Sequence, residues 1–310
     1  MKKISIVTAC YNEEMNVENL YLAVKSVFQK DLKKYKYEHI FIDNASKDKT
    51  VEELKKIAKR DKNVKIIVNA RNFGHIRSPY HGLLQADGDA VISLVADFQD
   101  PPQMIADFVH MWENGNSIVV GVKSKSKESP LIFMLRKLFY ILIRKFGETE
   151  HIDNFTGFGL YDKKVISVLR QFKDPYPYFR GLIAEIGFKR AAIDYVQPKR
   201  KAGKTKNNFY SLYDMAMLGF VNNSKIPLRV AAFAGFAIGA ISFIVALVYL
   251  TMKLVFWDRF QMGTAPIIIG LFFFSSVQLF FIGILGEYIG AIYTQVKDRP
   301  LVIENERVNF

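Results

Sequence analysis

VISLVADFQDPP, residues 91–102, is the stretch on which the reading of the fold turns. Val91, Ile92, Leu94 and Val95 suit a strand buried on both faces, and Pro101 and Pro102 forbid its continuation. Asp97, Gln99 and Asp100 therefore stand at the carboxyl end of a strand, the rim on which open α/β sheets bind ligands. Oxygen donors grouped there suit a hard divalent cation carrying a phosphorylated substrate. The same residues also suit a strand that closes on an Asx turn with no ligand at all. The chain on either side has to decide.

Upstream, residues 4–9, ISIVTA, form a short β-rich run that ends in Tyr11, Asn12, Glu13 and Glu14. Val17, Leu20, Tyr21, Val24, Val27 and Phe28 follow at helical spacing. A second strand over 39–42 ends in Asp43 and Asn44, and ASKDKT leads from it into a helix over 51–60. A third over 64–68 leads to Asn69, Arg71, Asn72, Phe73 and Gly74, then a helix over 78–86 that Gly88 breaks. Four strands each ending in a polar cluster, most of them separated by helices, predict a doubly wound, mostly parallel α/β sheet with one functional edge. No GxGxxG or GxxxxGK[ST] loop occurs, which argues against a dinucleotide enzyme or a P-loop NTPase.

A chain of 310 residues has room for one large domain and something smaller. Residues 230–252 and 260–286 carry no charged side chain. At about 1.5 Å per helical residue, each can span a hydrocarbon core of roughly 30 Å. Two transmembrane helices are expected, because soluble helices rarely run so long without a polar face. MKKISIVTACYNEE has too short an apolar run for a signal peptide, so residues 1–225 are expected to stay in the cytoplasm. The single cysteine, Cys10, agrees with a reducing compartment. A net charge of +13 suits nucleic acid, anionic lipid or phosphorylated substrates, and the apolar segments favour the last two. Lys225 and Arg229 before the first span and Lys297 and Arg299 after the second place both ends in the cytoplasm.

The order IVTACYNEE, FIDNASKDKT, NARNFG and VADFQDPP resembles the family 2 glycosyltransferases of the GT-A fold. With LGEYIGAIYTQVKDRP after two apolar spans, the chain is similar to their polyprenyl-phosphate glycosyltransferase branch, which includes dolichol-phosphate mannose synthases and bactoprenol glucosyltransferases. The resemblance implies a cytoplasmic GT-A nucleotide-sugar-binding domain over 1–227, a two-helix transmembrane hairpin over 228–293 and a cytoplasmic tail over 294–310. It implies that Tyr11, Asn12, Glu13 and Asp43 hold the nucleoside, with Thr8, Asn44, Arg71 and Gly74 as further nucleotide-sugar contacts. Asp97 and Gln99 match the catalytic positions that hold Mg2+ or Mn2+ and the diphosphate. Two departures stand out: Asn44 follows Asp43 where the family has a second aspartate, and Val95 opens a motif that usually reads Asp-Ala-Asp. Mg2+ can draw ligands from water and substrate phosphates, so a weaker or more substrate-dependent metal site is expected.

Beyond residue 102, a strand over 115–122 delivers Lys123 and Lys125. LIFMLRKLFYILIRKF, residues 131–146, is amphipathic, with Lys137 and Arg144 on one stripe, and suits the membrane interface or the face of the sheet. A second amphipathic stretch covers 209–223. The latter half of HIDNFTGFGLYDKKVISVL, residues 151–169, resembles the segment that closes over the sugar, but Gly157 and Gly159 stand where many relatives carry Asp and Arg, which points to altered donor specificity. DPYPYFRG at 174–181 is expected as a loop, either beside the same pocket or in packing. Residues 197–206, QPKRKAGKTK, match a family loop that contacts diphosphate, with Arg200 and Lys206 as the contacts. Lys123, Arg136 and Arg200 are the candidates for holding the acceptor phosphate.

The function implied is inverting transfer of a single sugar, from UDP-glucose or a UDP-N-acetylhexosamine, to undecaprenyl phosphate at the cytoplasmic face of the plasma membrane. The protein is then multi-pass, its partners are the nucleotide sugar, the lipid acceptor and the bilayer, and its interface helices are compatible with a homo-oligomer. A processive polysaccharide synthase is a second reading, and a catalytically weakened membrane scaffold that binds nucleotide sugar or lipid phosphate is a third.

Overall fold

The computed structural model describes residues 1–125, 152, 154–198, 226–256 and 264–310. Runs of β-branched residues alternate with amphipathic stretches to give β1 (Lys3–Cys10), α1 (Val17–Lys30), β2 (Lys36–Asp43), α2 (Thr50–Arg60), β3 (Val64–Asn69), α3 (Gly74–Gln85), β4 (Ala90–Val95) and α4 (Met104–Glu113). There follow β5 (Ile118–Lys125), β6 (Phe155–Asp162), α5 (Lys163–Leu169), α6 (Phe179–Glu185), β7 (Arg190–Val196), α7 (Ile226–Val255), α8 (Thr264–Val296) and β8 (Glu304–Val308). The interface helices expected over 131–146 and 209–223 lie outside the described residues.

One sheet takes all eight described strands in the order β7-β5-β6-β4-β1-β2-β3-β8. β4, β1, β2 and β3 are mutually parallel, so their carboxyl ends share one edge. β6 runs antiparallel to both β4 and β5. Helices cover both faces. Leu20, Val24, Leu54 and Phe108 pack with Ile6 and Phe41 on one side, and Tyr80, Leu83 and Ile166 pack with Val7, Ile42 and Tyr161 on the other. Burial on two faces explains why these strands read as continuous apolar runs without alternation.

The chain after α8 departs from expectation. Residues 294–310 were set apart as a tail, yet Glu304–Val308 adds to the sheet as β8, antiparallel to β3. Ala70 N donates to Ile303 O at 2.9 Å, Lys55 pairs with Glu306 at 2.6 Å, and Asn309 Nδ2 donates to Ala58 O and Val64 O, both at 2.8 Å. α7 and α8 are long and apolar enough to cross a membrane. Mean hydropathy is 2.1 over Leu228–Val245 and 1.6 over Gly270–Val296, and neither stretch is buried.

Gly159 has a packing role. A Cβ there would lie 2.4 Å from Val119 O and 3.2 Å from Val120 Cα, so β5 and β6 pair only because the side chain is absent. Gly159→Ala is expected to cost about 3 kcal/mol and to lower Tm by roughly 6–12 °C. Thermal unfolding of the purified variant measures this, and an unchanged Tm would show that the strands can part without cost.

Candidate active site

Parallel pairing delivers four loops to one edge, and hydrogen bonds between them make that edge a single surface. The loop after β1 is fastened to the loop after β2. Asn12 N donates to Ser46 Oγ and Lys47 N donates to Asn12 Oδ1, both at 2.8 Å. Glu13 N donates to Thr50 Oγ1 at 2.8 Å, and Lys49 N donates to Glu14 Oε2 at 2.9 Å. Asn12 and Ala45 take left-handed backbone conformations, φ 57° and 60°, to make these turns. Asp43 is wholly buried and accepts from Ser46 N at 2.9 Å and from Ser46 Oγ. Burial pushes its pKa up despite those two bonds. Asp43 therefore fixes the loop carrying Ser46, and Ser46 fixes Asn12.

Asn44 performs the same task one strand along. Its Oδ1 accepts from Phe73 N at 2.9 Å and Asn69 Nδ2 at 3.2 Å, while its Nδ2 donates to Asn72 Oδ1 and Gly74 O, both at 3.0 Å. An aspartate here could accept the first two but could not donate the others. The departure from Asp-Asp is thus a tie between the loops after β2 and β3, with the side chain directed into the protein. Gly74, at φ +86°, opens α3 in a conformation that favours glycine. Arg71 stays exposed on the same loop, its guanidinium 4.1 Å from the Phe73 ring centroid.

After β4 the chain makes the Asx turn that the sequence allowed. Gln99 N donates to Asp97 Oδ1 at 3.1 Å, with Phe98 between them at φ 61°. Asp100, 3 % exposed, accepts from Tyr195 OH at 3.1 Å and Val95 N at 3.4 Å, which ties the turn to β7. Burial raises the Asp100 pKa to about 6, opposed by the Tyr195 hydrogen bond and the Lys123 ammonium. The turn uses one Asp97 oxygen, and Asp97 itself is 7 % exposed. Among the described residues no three of His, Cys, Asp and Glu converge as a metal cage. One carboxylate and one amide, Asp97 and Gln99, fit Mg2+ or Mn2+ as part of a site that substrate phosphates and water complete. Val95, 42 % exposed, adds an apolar surface where a carboxylate would have stood.

Beside this turn lies a cavity of about 200 Å³, lined among others by His75, Val95, Asp100, Thr156, Gly157 and Phe179. Gly157, at φ +101°, faces Phe179, whose ring lies 3.6 Å from where a Cβ would sit. Of the two glycines expected to alter specificity, Gly157 lines the cavity and Gly159 is turned to the β5 backbone. The 174–181 segment, expected as a loop, is one only in part, because Phe179 to Gly181 open α6. Pro177, Tyr178 and Arg180 line the cavity, while Phe179 also packs edge-on against Tyr80 and Tyr161.

Tyr11, Asn12, Glu13, Asp43, Asn44, Arg71, Gly74, Asp97 and Gln99 all belong to the rim loops, and Lys123 reaches it from β5. Thr8 does not. It is wholly buried within β1, its hydroxyl 3.0 Å from His39 Nε2 in the sheet interior, so no solute can touch it. Arg136, Arg200 and Lys206 lie outside the described residues. Asp100, grouped with Asp97 and Gln99 as an oxygen donor for a cation, is instead bonded inside the protein to Tyr195 and Val95, and Ser46 and Tyr195 are rim residues that the sequence reading did not single out. Ser46 stood in the loop ASKDKT and Asp100 in the quoted turn, but Tyr195 carried no signal, since only the sheet order brings β7 to that turn.

The model for glycosyl transferase family 2 matches residues 5–170. The uncharacterized glycosyltransferase YkcC of Bacillus subtilis is 35 % identical over 96 % of this chain and 92 % of its own length. A prophage-derived bactoprenol glucosyl transferase of Shigella flexneri is 33 % identical over 97 % of both chains. Among solved structures, the crystal structure of a mycobacterial protein superimposes with a TM-score of 0.50 at 15 % identity, over 71 % of this chain and 73 % of that one, a likeness of fold alone. Asn44→Asp is expected to cost about 2 kcal/mol through two lost donors, roughly 4–8 °C in Tm. Calorimetry on the variant decides, and an unshifted transition would release Asn44 from its structural role.

Proposed function

The chain belongs to glycosyltransferase family 2, and from that premise we propose that it transfers one sugar from a UDP-sugar, UDP-glucose or a UDP-N-acetylhexosamine, to undecaprenyl phosphate. The observation that carries this reading is the 33 % identity to a bactoprenol glucosyl transferase along 97 % of both chains, rim and apolar helices together. Membrane association follows from the same two helices and relatives.

The finer topology is that α7 and α8 cross the bilayer as a hairpin, with the sheet in the cytoplasm. β8 supports it. A strand that follows α8 pairs with β3, which precedes α7, so both flanks of the hairpin have to lie on one side.

In the proposed reaction, Tyr11, Asn12, Glu13 and Arg71 line the nucleoside end of the donor, and Asp97 with Gln99 meets the diphosphate. A divalent cation held there would neutralise charge building on the departing diphosphate. The cavity beside Val95 receives the sugar. The acceptor phosphate is largely ionised at neutral pH, with a second pKa near ~6, and attacks without a dedicated base. In-line attack inverts the anomeric carbon. What the chain must add is positive charge that lets two anions approach, a role we give to Lys123 and, outside the described residues, to Arg136 and Arg200. Lys206 stands with Arg200 as a diphosphate contact.

Val95 favours one competing reading, a membrane scaffold that binds these ligands without chemistry. Membranes containing the protein, supplied with polyprenyl phosphate, Mg2+ or Mn2+ and a panel of radiolabelled nucleotide sugars, separate the two. One UDP-sugar is expected to label the lipid, chelation of the cation to stop it, and Asp97→Ala to reduce transfer at least ~100-fold. Absence of label from every donor with the wild-type chain would sink the transferase reading.

A further inference from the structure

Where the chain returns from α8 to the loop after β3, three guanidinium groups lie near one another, those of Arg71, Arg77 and Arg299. Arg77 projects from the first turn of α3 and donates through Nη2 to Pro300 O at 2.6 Å, on the segment that has just left α8. Its Nε is buried and has no hydrogen-bond partner among the described residues. Its guanidinium lies 5.3 Å from the Phe73 ring centroid, the same ring that carries Arg71 at 4.1 Å. Arg299 precedes Pro300 directly and is exposed. Among the described residues no ion pair engages Arg71, Arg77 or Arg299.

Such a cluster is unfavourable by itself. Burial, then Arg71, and then Arg299 lower the Arg77 pKa, and only Tyr176 opposes them. Like charges are held here by a ring, a backbone carbonyl and a chain crossing, and a buried N–H is left pointing at no acceptor. A planar donor fork of this kind is matched by the oxygens of a phosphate.

We propose that Arg77 and Arg299, beside the nucleotide-sugar contact Arg71, form a phosphate-binding cluster that first receives the headgroup of the polyprenyl phosphate acceptor, before it reaches Lys123. The assignment to the lipid rests on the reading of the chain as a polyprenyl-phosphate transferase and on place. Arg299 comes three residues after α8 ends at Val296, where a chain leaving the bilayer meets the headgroup layer, and Arg71 and Arg77 stand on the loop and helix that open onto the rim. A phosphate held there is anchored by its own lipid at the height of the site, whereas a water-soluble donor needs no such place. The C-terminal segment then does more than cover the edge of β3. It supplies one cation and positions another.

The test uses the full-length protein in nanodiscs of neutral lipid and measures dissociation constants for polyprenyl phosphate and for the UDP-sugar separately, with transfer recorded alongside. Arg77→Gln and Arg299→Gln are each expected to weaken polyprenyl phosphate binding about tenfold and to leave nucleotide-sugar binding within about twofold. Arg77→Lys, which keeps the charge but not the fork, is expected to fall between wild type and Arg77→Gln. Arg299→Gln removes no hydrogen bond recorded for the described residues, so it remains informative if Arg77→Gln loosens the Pro300 contact. Unchanged lipid binding, or a loss confined to the UDP-sugar, overturns the proposal. So does an effect that appears only when anionic phospholipid is added to the discs, which would assign the cluster to bulk headgroups. Lipid binding that weakens as expected in a chain that transfers no sugar would uphold the cluster and reject the transferase reading, and intact transfer with unaltered binding would do the reverse.

Discussion

The Asn44 side chain is the joint on which the rim depends. It uses both acceptor positions and both donors on partners from the loop after β3, and the loop it stands in is held on its other side by Asp43, Ser46 and Asn12. Parallel pairing alone only brings loop ends to a common edge. Bonds from loop to loop give that edge a fixed shape before any ligand arrives, so that ligand binding need not supply the ordering free energy of several free loops. The turn after β4 is fixed in the same way, by Asp100 to Tyr195.

This scaffolding changes how the carboxylates of the rim are to be counted. Asp43 and Asp100 are buried and hydrogen-bonded within the protein, Asn44 and Val95 carry no charge, and Asp97, 7 % exposed, accepts through one oxygen from Gln99 N. A cation site with one carboxylate and one amide depends on the diphosphate it helps to bind. Metal and donor are therefore expected to bind together, with the apparent affinity of each set by the concentration of the other.

How much of this was legible in the sequence depends on the distance over which each feature is decided. Strand and helix identity follows from local period, and the end of a buried strand from two prolines, so the βα units and their common edge could be read directly. The rim residues were legible as a class because polar residues after an apolar run have to lie at strand ends. Their roles were not. Thr8 stands three residues before Tyr11, but its hydroxyl is buried against His39 inside the sheet while Tyr11 lies just past the end of β1, and sequence proximity does not resolve that step. Asn44 read as a weakened ligand because nothing local shows four partners located from Asn69 to Gly74. Gly159 read as a specificity change because a close approach to Val119 O exists only once β5 and β6 pair. Tyr195 and β8 were least legible, since pairing across the sheet, and nothing in their own neighbourhood, gives them their place.

The return of the chain after α8 imposes an order on assembly. Until β8 arrives, β3 is an open edge of the sheet, with unpaired backbone groups and the hydrophobic face of Ile66 and Val68 beside it, the configuration that invites edge-to-edge association. β8 covers that edge with Lys55–Glu306 and the Arg307–Glu304 pair, and places charge along the new edge it creates. No part of this can form before residues 226–296 have been made, a stretch that includes two apolar helices none of whose described side chains is buried. Completion of the sheet is thus coupled to the fate of the hairpin. A hairpin inserted in lipid brings residues 297–303 back beside α3, where Pro300 meets Arg77 and Glu304 meets His81 at 2.5 Å. In the proposed topology the same crossing that closes the sheet would set the loop after β3 at a defined distance from the bilayer, as the proposed transfer between a soluble donor and a lipid acceptor requires.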